Sequence, residues 1–148
     1  MSRSFAEILL FIPMVLNTGF LTFIAGVIQG IMNDMAEAEF KGFLTVLHKH
    51  ATKSPYAIIA STFTFVGVIP YFIAFGFTHW WFTAGIVLWF VASIISKRYN
   101  LPIYERIFAL ENSDTTRLNE ERQKLQTANR LRALLSFASI GLVVIGFI

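Results

Sequence analysis

The chain has 148 residues, of which 55% are hydrophobic and only 14% charged, against about 25% charged in an ordinary soluble domain. That much apolar surface, with 16 phenylalanines in it, cannot be hidden in a soluble fold of this size, because a small domain keeps a large share of its surface exposed. The absence of cysteine excludes disulfides, thiolate metal sites and cysteine nucleophiles, and the net charge of +3 reflects where the cations sit rather than a nucleic-acid partner.

Four apolar runs, at 5–32, 56–77, 80–97 and 131–148, predict four transmembrane helices in one domain covering 1–148. About 20 residues cross the roughly 30 Å of hydrocarbon; the first two runs meet this, and the last two reach it by helix extension. The first run is broken by Glu7, Pro13, Asn17 and Gln29 and is too long for a signal peptide. Backbone amides in lipid must be satisfied within each span. The runs are continuous rather than alternating, which excludes a β-barrel. The expected fold is all-α: an integral membrane antiparallel four-helix bundle, its fourth helix extended into the cytosol.

The intervening segments, 33–55 and 98–130, carry the charge. Of the twelve Lys and Arg, Arg3 alone lies on the side shared by both termini and the second loop. The other eleven lie on the opposite side, which the positive-inside rule makes cytoplasmic. Both termini then face outward, and a bacterial inner membrane fits. His79, Trp80 and Trp81 belong at the outer interface, Tyr99 and Tyr104 at the inner headgroups. AEAEFKGFLTVLHKH reads as an amphipathic segment lying on the inner leaflet, with Phe40, Phe43, Leu44 and Leu47 turned into the lipid. At KRYNLPIYER, Pro102 disfavours a helical Leu101. The third helix is expected to leave the membrane at KRYN, and the turn at Pro102 to aim Asn100 or Tyr104 at the Arg-bearing helix. That helix begins near Ser113–Thr116 with a capping residue and runs without Gly or Pro into the fourth span.

Small residues at helical spacing prepare the spans to pack. Gly19, Gly26 and Gly30 mark the first run, Gly85, Ala92 and Ser96 the third, Ser139 and Gly146 the fourth. The glycines of the first run serve either the bundle or a homodimer.

Polar residues inside spans are the default functional candidates. Asn17, Thr18 and Gln29 lie on the first run, Ser61, Thr62 and Thr64 on the second, and interhelical hydrogen bonding is their alternative role. Asn17 and Gln29 are about 120° apart on a regular helix and are not expected to cluster. The three histidines lack metal-ligand spacing, so no metal or other cofactor is expected. His48 is the best general acid or base, with a solvated interfacial histidine as the alternative. At the inner face Asn129 and Arg132 share a helix side, opposite Asn100 and Tyr104. They fit either phospholipid headgroups with loop tethering, or an anionic or phenolic ligand at the mouth of the bundle.

These pieces resemble the anthrone-oxygenase-like family of small four-span membrane proteins, many known only as a domain of unknown function. The resemblance lies in GFLTFIAGVIQGIM of the first helix, the Phe-bearing segment after it, SKRYNLPIYERI after the third, and ERQKLQTANRLRALLSFA into the fourth. Asn100 and Pro102 match the family's Asn-x-Pro, and Asn129 and Arg132 match its Asn and Arg, while Leu125 stands where the family carries Trp. The resemblance implies a cofactor-free oxygenase with His48 as base and Arg132, Asn129 and Asn100 as oxyanion donors. Asn17 and Tyr104 complete the ligand-binding candidates. The alternative class is a non-enzymatic membrane module that binds lipid or a hydrophobic molecule, or an accessory subunit of a larger membrane complex.

Overall fold

The computed structural model describes residues 2–148, and every regular element among them is helical. There are five helices: α1 (Arg3–Asp34), α2 (Glu37–Ala51), α3 (Pro55–Phe75), α4 (Trp80–Ala109) and α5 (Thr115–Phe147). All except α2 are long and apolar enough to cross a membrane, as an integral membrane protein requires. The expected all-α bundle is the fold.

Local chemistry sets the helix starts and stops. Ser2 accepts from the Phe5 amide to start α1, and Ser54 accepts from the Ala57 amide to start α3, with Pro55 in the first turn. Asp114 accepts from the Arg117 amide at 3.3 Å and caps α5 inside the expected Ser113–Thr116 window. α3 ends at Gly76, whose φ of +66° favours a residue without Cβ.

Two helices contain a wide π-helical turn. In α1 it spans Ile24–Ile28, where the Gln29 amide bonds the Ile24 carbonyl; in α4 it spans Ser96–Asn100, where the Leu101 amide bonds the Ser96 carbonyl. The second of these corrects the expectation of an extended Leu101 and a turn ahead of Pro102. Leu101 is helical, with φ −61° and ψ −48°, and the helix continues to Ala109. The wide turn gives Pro102 room for its ring and removes the need for the amide it lacks.

α5 packs along α4 and against α1, and α1 packs against α3. The α4–α5 seam is tight because it uses small residues. A Cβ on Gly85 would fall 2.5 Å from a Val143 methyl and 2.9 Å from the Ser139 carbonyl, and Ser139 Oγ donates to the Gly85 carbonyl at 2.7 Å. By contrast, Gly19, Gly26 and Gly30 have open space where a Cβ would be, so the bundle does not use them.

The 33 residues of α5 reach about 50 Å, well beyond about 30 Å of hydrocarbon. The excess forms a cap at the basic end. There Phe40 and Leu44 of α2 pack with Met32, Ile103, Ile107, Leu118 and Leu125 into a second core, separate from the one built on Met14, Phe82, Ile86 and Trp89. Phe40 and Leu44 therefore do not enter lipid, as the sequence suggested: the overhanging ends of α4 and α5 offer them a protein surface instead. Arg122 fixes this cap. It donates to the carbonyls of Met32 at 2.9 Å and Met35 at 2.7 Å, pairs with Glu37 at 3.0 Å, and lies 5.0 Å over the Phe40 ring. It thus satisfies carbonyls freed where α1 ends.

Replacing Gly85 by Leu is expected to lower the thermal midpoint of the detergent-solubilised protein, with a loss of about 1–3 kcal/mol typical of overpacking. Gly26→Leu is expected to leave the midpoint unchanged, and a thermal melt of the two variants side by side measures the contrast.

Candidate functional site

A layer of polar side chains divides the two apolar cores. Asn129 of α5 is its hub, with only 1% of its surface exposed. Its Nδ2 donates to Gln29 Oε1 at 3.1 Å, and its Oδ1 accepts from Asn100 Nδ2 at 2.7 Å and Arg132 Nη2 at 3.3 Å. Gln29 donates onward to Asn33 at 3.0 Å, and Arg132 Nη1 donates to Ser96 Oγ at 2.7 Å. Both wide turns feed this layer: Gln29 directly follows the one in α1, while Ser96 and Asn100 bound the one in α4. Such turns re-aim side chains that a regular helix would carry past one another.

Two polar atoms of the layer are buried without a hydrogen-bond partner, Asn100 Oδ1 and Arg132 Nε. Beside Arg132, a recess of about 190 Å³ opens between the spans. Its walls carry Asn17 of α1, Ser61 and Phe65 of α3, Ser93, Ser96 and Lys97 of α4, and Ser136 of α5. The recess therefore combines two cations, an amide and four hydroxyls at the edge of an apolar bundle. These groups offer donors suited to an anion or a phenol, with no carboxylate opposing them.

The structure joins three of the six expected site residues directly: Arg132, Asn129 and Asn100. Asn17 reaches them across the recess. Tyr104 stands beside this group, its hydroxyl within reach of Asn100 and Arg132, and its ring leads on to His48. The His48 ring lies 5.1 Å from Tyr104 and 5.5 Å from Phe108, and the latter two rings stack at 6.2 Å. Tyr104 follows Asn100 by four residues on α4, so the aromatic group adjoins the amide layer through one helix face. His48 is not on the wall of the Arg132 recess.

A second polar cluster, at the end that holds both termini, was not singled out from the sequence. Glu7 has 3% of its surface exposed, yet its Oε1 accepts from Tyr71 at 2.6 Å, His79 Nδ1 at 2.7 Å and Arg3 Nε at 3.0 Å. His79 Nε2 lies 2.9 Å from the Gly146 carbonyl. A carboxylate thus faces one ring nitrogen and a carbonyl the other. The cluster ties α1, α3, the turn before α4 and the end of α5 at one point. Its sequence signal is the i, i+4 spacing of Arg3 and Glu7; nothing local brings in Tyr71 or His79.

Compared with protein-family models, curated proteins and solved structures, the chain finds no match. The site is therefore read from its own geometry.

Glu7→Gln is expected to lower the thermal midpoint, because it leaves Arg3 and His79 facing an uncharged amide in the outer cluster. The expected loss is about 1–3 kcal/mol, below that for a fully buried ion pair, since Arg3 and His79 side chains remain 36% and 25% exposed. A thermal melt at neutral pH, compared with wild type, checks it.

Proposed function

We propose that this chain is a multi-pass membrane protein that binds an anionic or phenolic amphiphile at the basic end of its bundle. In this reading the ligand's polar head enters the recess beside Arg132, and its apolar body stays among the spans and the surrounding lipid. One observation carries the reading: a guanidinium with a buried, unpartnered Nε stands on the wall of a hydroxyl-lined recess. A cation at this depth is costly unless it has a partner. A ligand oxygen would supply one, and Asn17, Ser61 and Ser93 would select it by hydrogen bonding. At about 190 Å³, the recess is smaller than the roughly 300–1,000 Å³ of sites that enclose a whole drug-sized ligand, which suits a head group better than a complete polycyclic ring.

Binding is favoured over turnover. A cofactor-free oxygenase of the anthrone type needs a base beside its oxyanion donors. Arg132, Asn129 and Asn100 would provide donors, but His48, the base implied by the family resemblance, packs on Tyr104 and Phe108 instead. Eleven of the twelve Lys and Arg lie on the side away from the termini. That supports a cytoplasmic basic end, with both termini outside, as in a bacterial inner membrane.

The test uses Trp89, which is buried against Phe65 on the recess wall at 4.9 Å. In a Trp80→Phe, Trp81→Phe background, dibromostearate is expected to quench Trp89 fluorescence saturably. Arg132→Gln is expected to weaken that binding about tenfold or more, the scale of a charge-assisted hydrogen bond. Equal quenching in the Arg132 variant would overturn the reading. Oxygen uptake with anthrone, lost in His48→Ala, would instead establish the oxygenase.

An accessory role has one observation in its favour. Gly19, Gly26 and Gly30 form an exposed small-residue stripe on α1, with Gly26 at the edge of a recess shared with α5, the kind of surface on which membrane helices associate. Gly26→Leu with Gly30→Leu is expected to abolish any dimer or complex that wild type forms in cross-linking from native membranes.

A further inference from the structure

The overhanging part of α4 and the first half of α5 leave a long groove of about 710 Å³ between them. It shares no lining residue with the Arg132 recess. At its membrane end the walls are Ile95 and Leu131, and they run into the exposed apolar surface of Ile94 and Leu134. Arg98 stands one turn beyond Ile95, and the far end of the walls carries Arg106 and Lys124, with Glu120 beside them. From Ile95 to Arg106 is eleven residues, or about 16 Å along a helix. The groove therefore runs from an oily end to a cationic one, with Arg98 between them, long enough to reach toward a headgroup from the edge of the apolar wall.

The charges do not cancel internally. Arg106 and Lys124 both pair with Glu121, at 2.9 Å and 2.6 Å. Two cations thus share one carboxylate. Arg98 forms no ion pair among the described residues. The polar end retains positive charge after Glu120 and Glu121 are counted. A soluble anion would satisfy these cations and leave the Ile95–Leu131 end bare; an uncharged lipid would do the reverse.

We infer that this groove is a specific site for one anionic phospholipid, its phosphate held by Arg98 and Lys124 and its acyl chains laid along Ile95 and Leu131. The inference is independent of the amphiphile reading, since a lipid here touches none of the recess residues.

Native mass spectrometry of the full chain, released from mixed phosphatidylcholine and phosphatidylglycerol, tests it. Wild type is expected to retain one phosphatidylglycerol, enriched about thirtyfold over its share of the mixture, as two cations near a membrane surface would give. Arg98→Gln with Lys124→Gln should bring the enrichment close to one. Thr127→Trp, which fills the groove without altering charge, should do the same. Lys49→Gln with Lys53→Gln, at the same end but outside the groove, should keep it. The inference is overturned if wild type shows no enrichment, if Thr127→Trp retains it, or if the Lys49 and Lys53 changes abolish it equally. Displacement of the lipid by inorganic phosphate alone would also overturn it, by showing that the headgroup anion suffices. The Trp89 quenching by dibromostearate should be unaffected by Arg98→Gln with Lys124→Gln, so the two sites fail or stand separately.

Discussion

The carboxamide of Asn129 holds three helices at one level, and the rest of the basic end follows from satisfying it. It donates to Gln29 on α1 and accepts from Asn100 on α4 while standing on α5. In a layer with no bulk water, an amide left half satisfied costs on the order of 1–3 kcal/mol. The three helices are therefore constrained in rotation as well as in separation. Hydrophobic contact cannot impose this, since lipid is as good a neighbour as another apolar side chain. Arg132 enters the same network with one nitrogen left over. In the proposed reading a ligand oxygen completes it, which is what would distinguish this layer from a purely structural bridge.

Much of the architecture was legible because it depends on composition and length. The four spans, the long uninterrupted α5 and its Asp114 start are all consequences of apolar runs, helix formers and a capping residue, which act locally. The pairing of Asn129 with Arg132 was legible for the same reason, being an i, i+3 relation on one helix. What could not be read were features set by the chain meeting itself. Gln29 has no partner visible in sequence: Asn129 lies 100 positions away, and the wide turn at Ile24–Ile28 sets the face on which the two meet. Phe40 and Leu44 look the same in sequence whether they face lipid or a protein core, and the overhang of α4 and α5 decides it. The Glu7 cluster joins residues as far as 72 positions apart, a distance at which periodicity carries no information.

The two ends of the bundle solve a similar problem differently. At the end with the termini, charge is concentrated on one carboxylate oxygen with three donors and is closed off by the Gly146 carbonyl. The cluster reads as a clasp, although Arg3 keeps one buried nitrogen, Nη2, without a partner. At the basic end a donor, Arg132 Nε, and an acceptor, Asn100 Oδ1, are both left over, and recesses remain open between the helices. The outer end gathers its charge on one carboxylate, while the basic end spreads it along the surfaces between helices.

The wide turns carry a consequence for how this protein tolerates change in length. Each accommodates one more residue than a regular α-turn would, so losing a single residue from Ile24–Ile28 would let the turn close to ordinary helix while leaving what lies beyond it on nearly the same face. Gln29 would still meet Asn129. Losing a residue from the regular helix between Arg3 and Phe23 would instead turn the two ends of α1 by about 100° relative to one another, although no side chain of the network had been altered. The wide turns are thus the places where the bundle can give up a residue and keep its amides together.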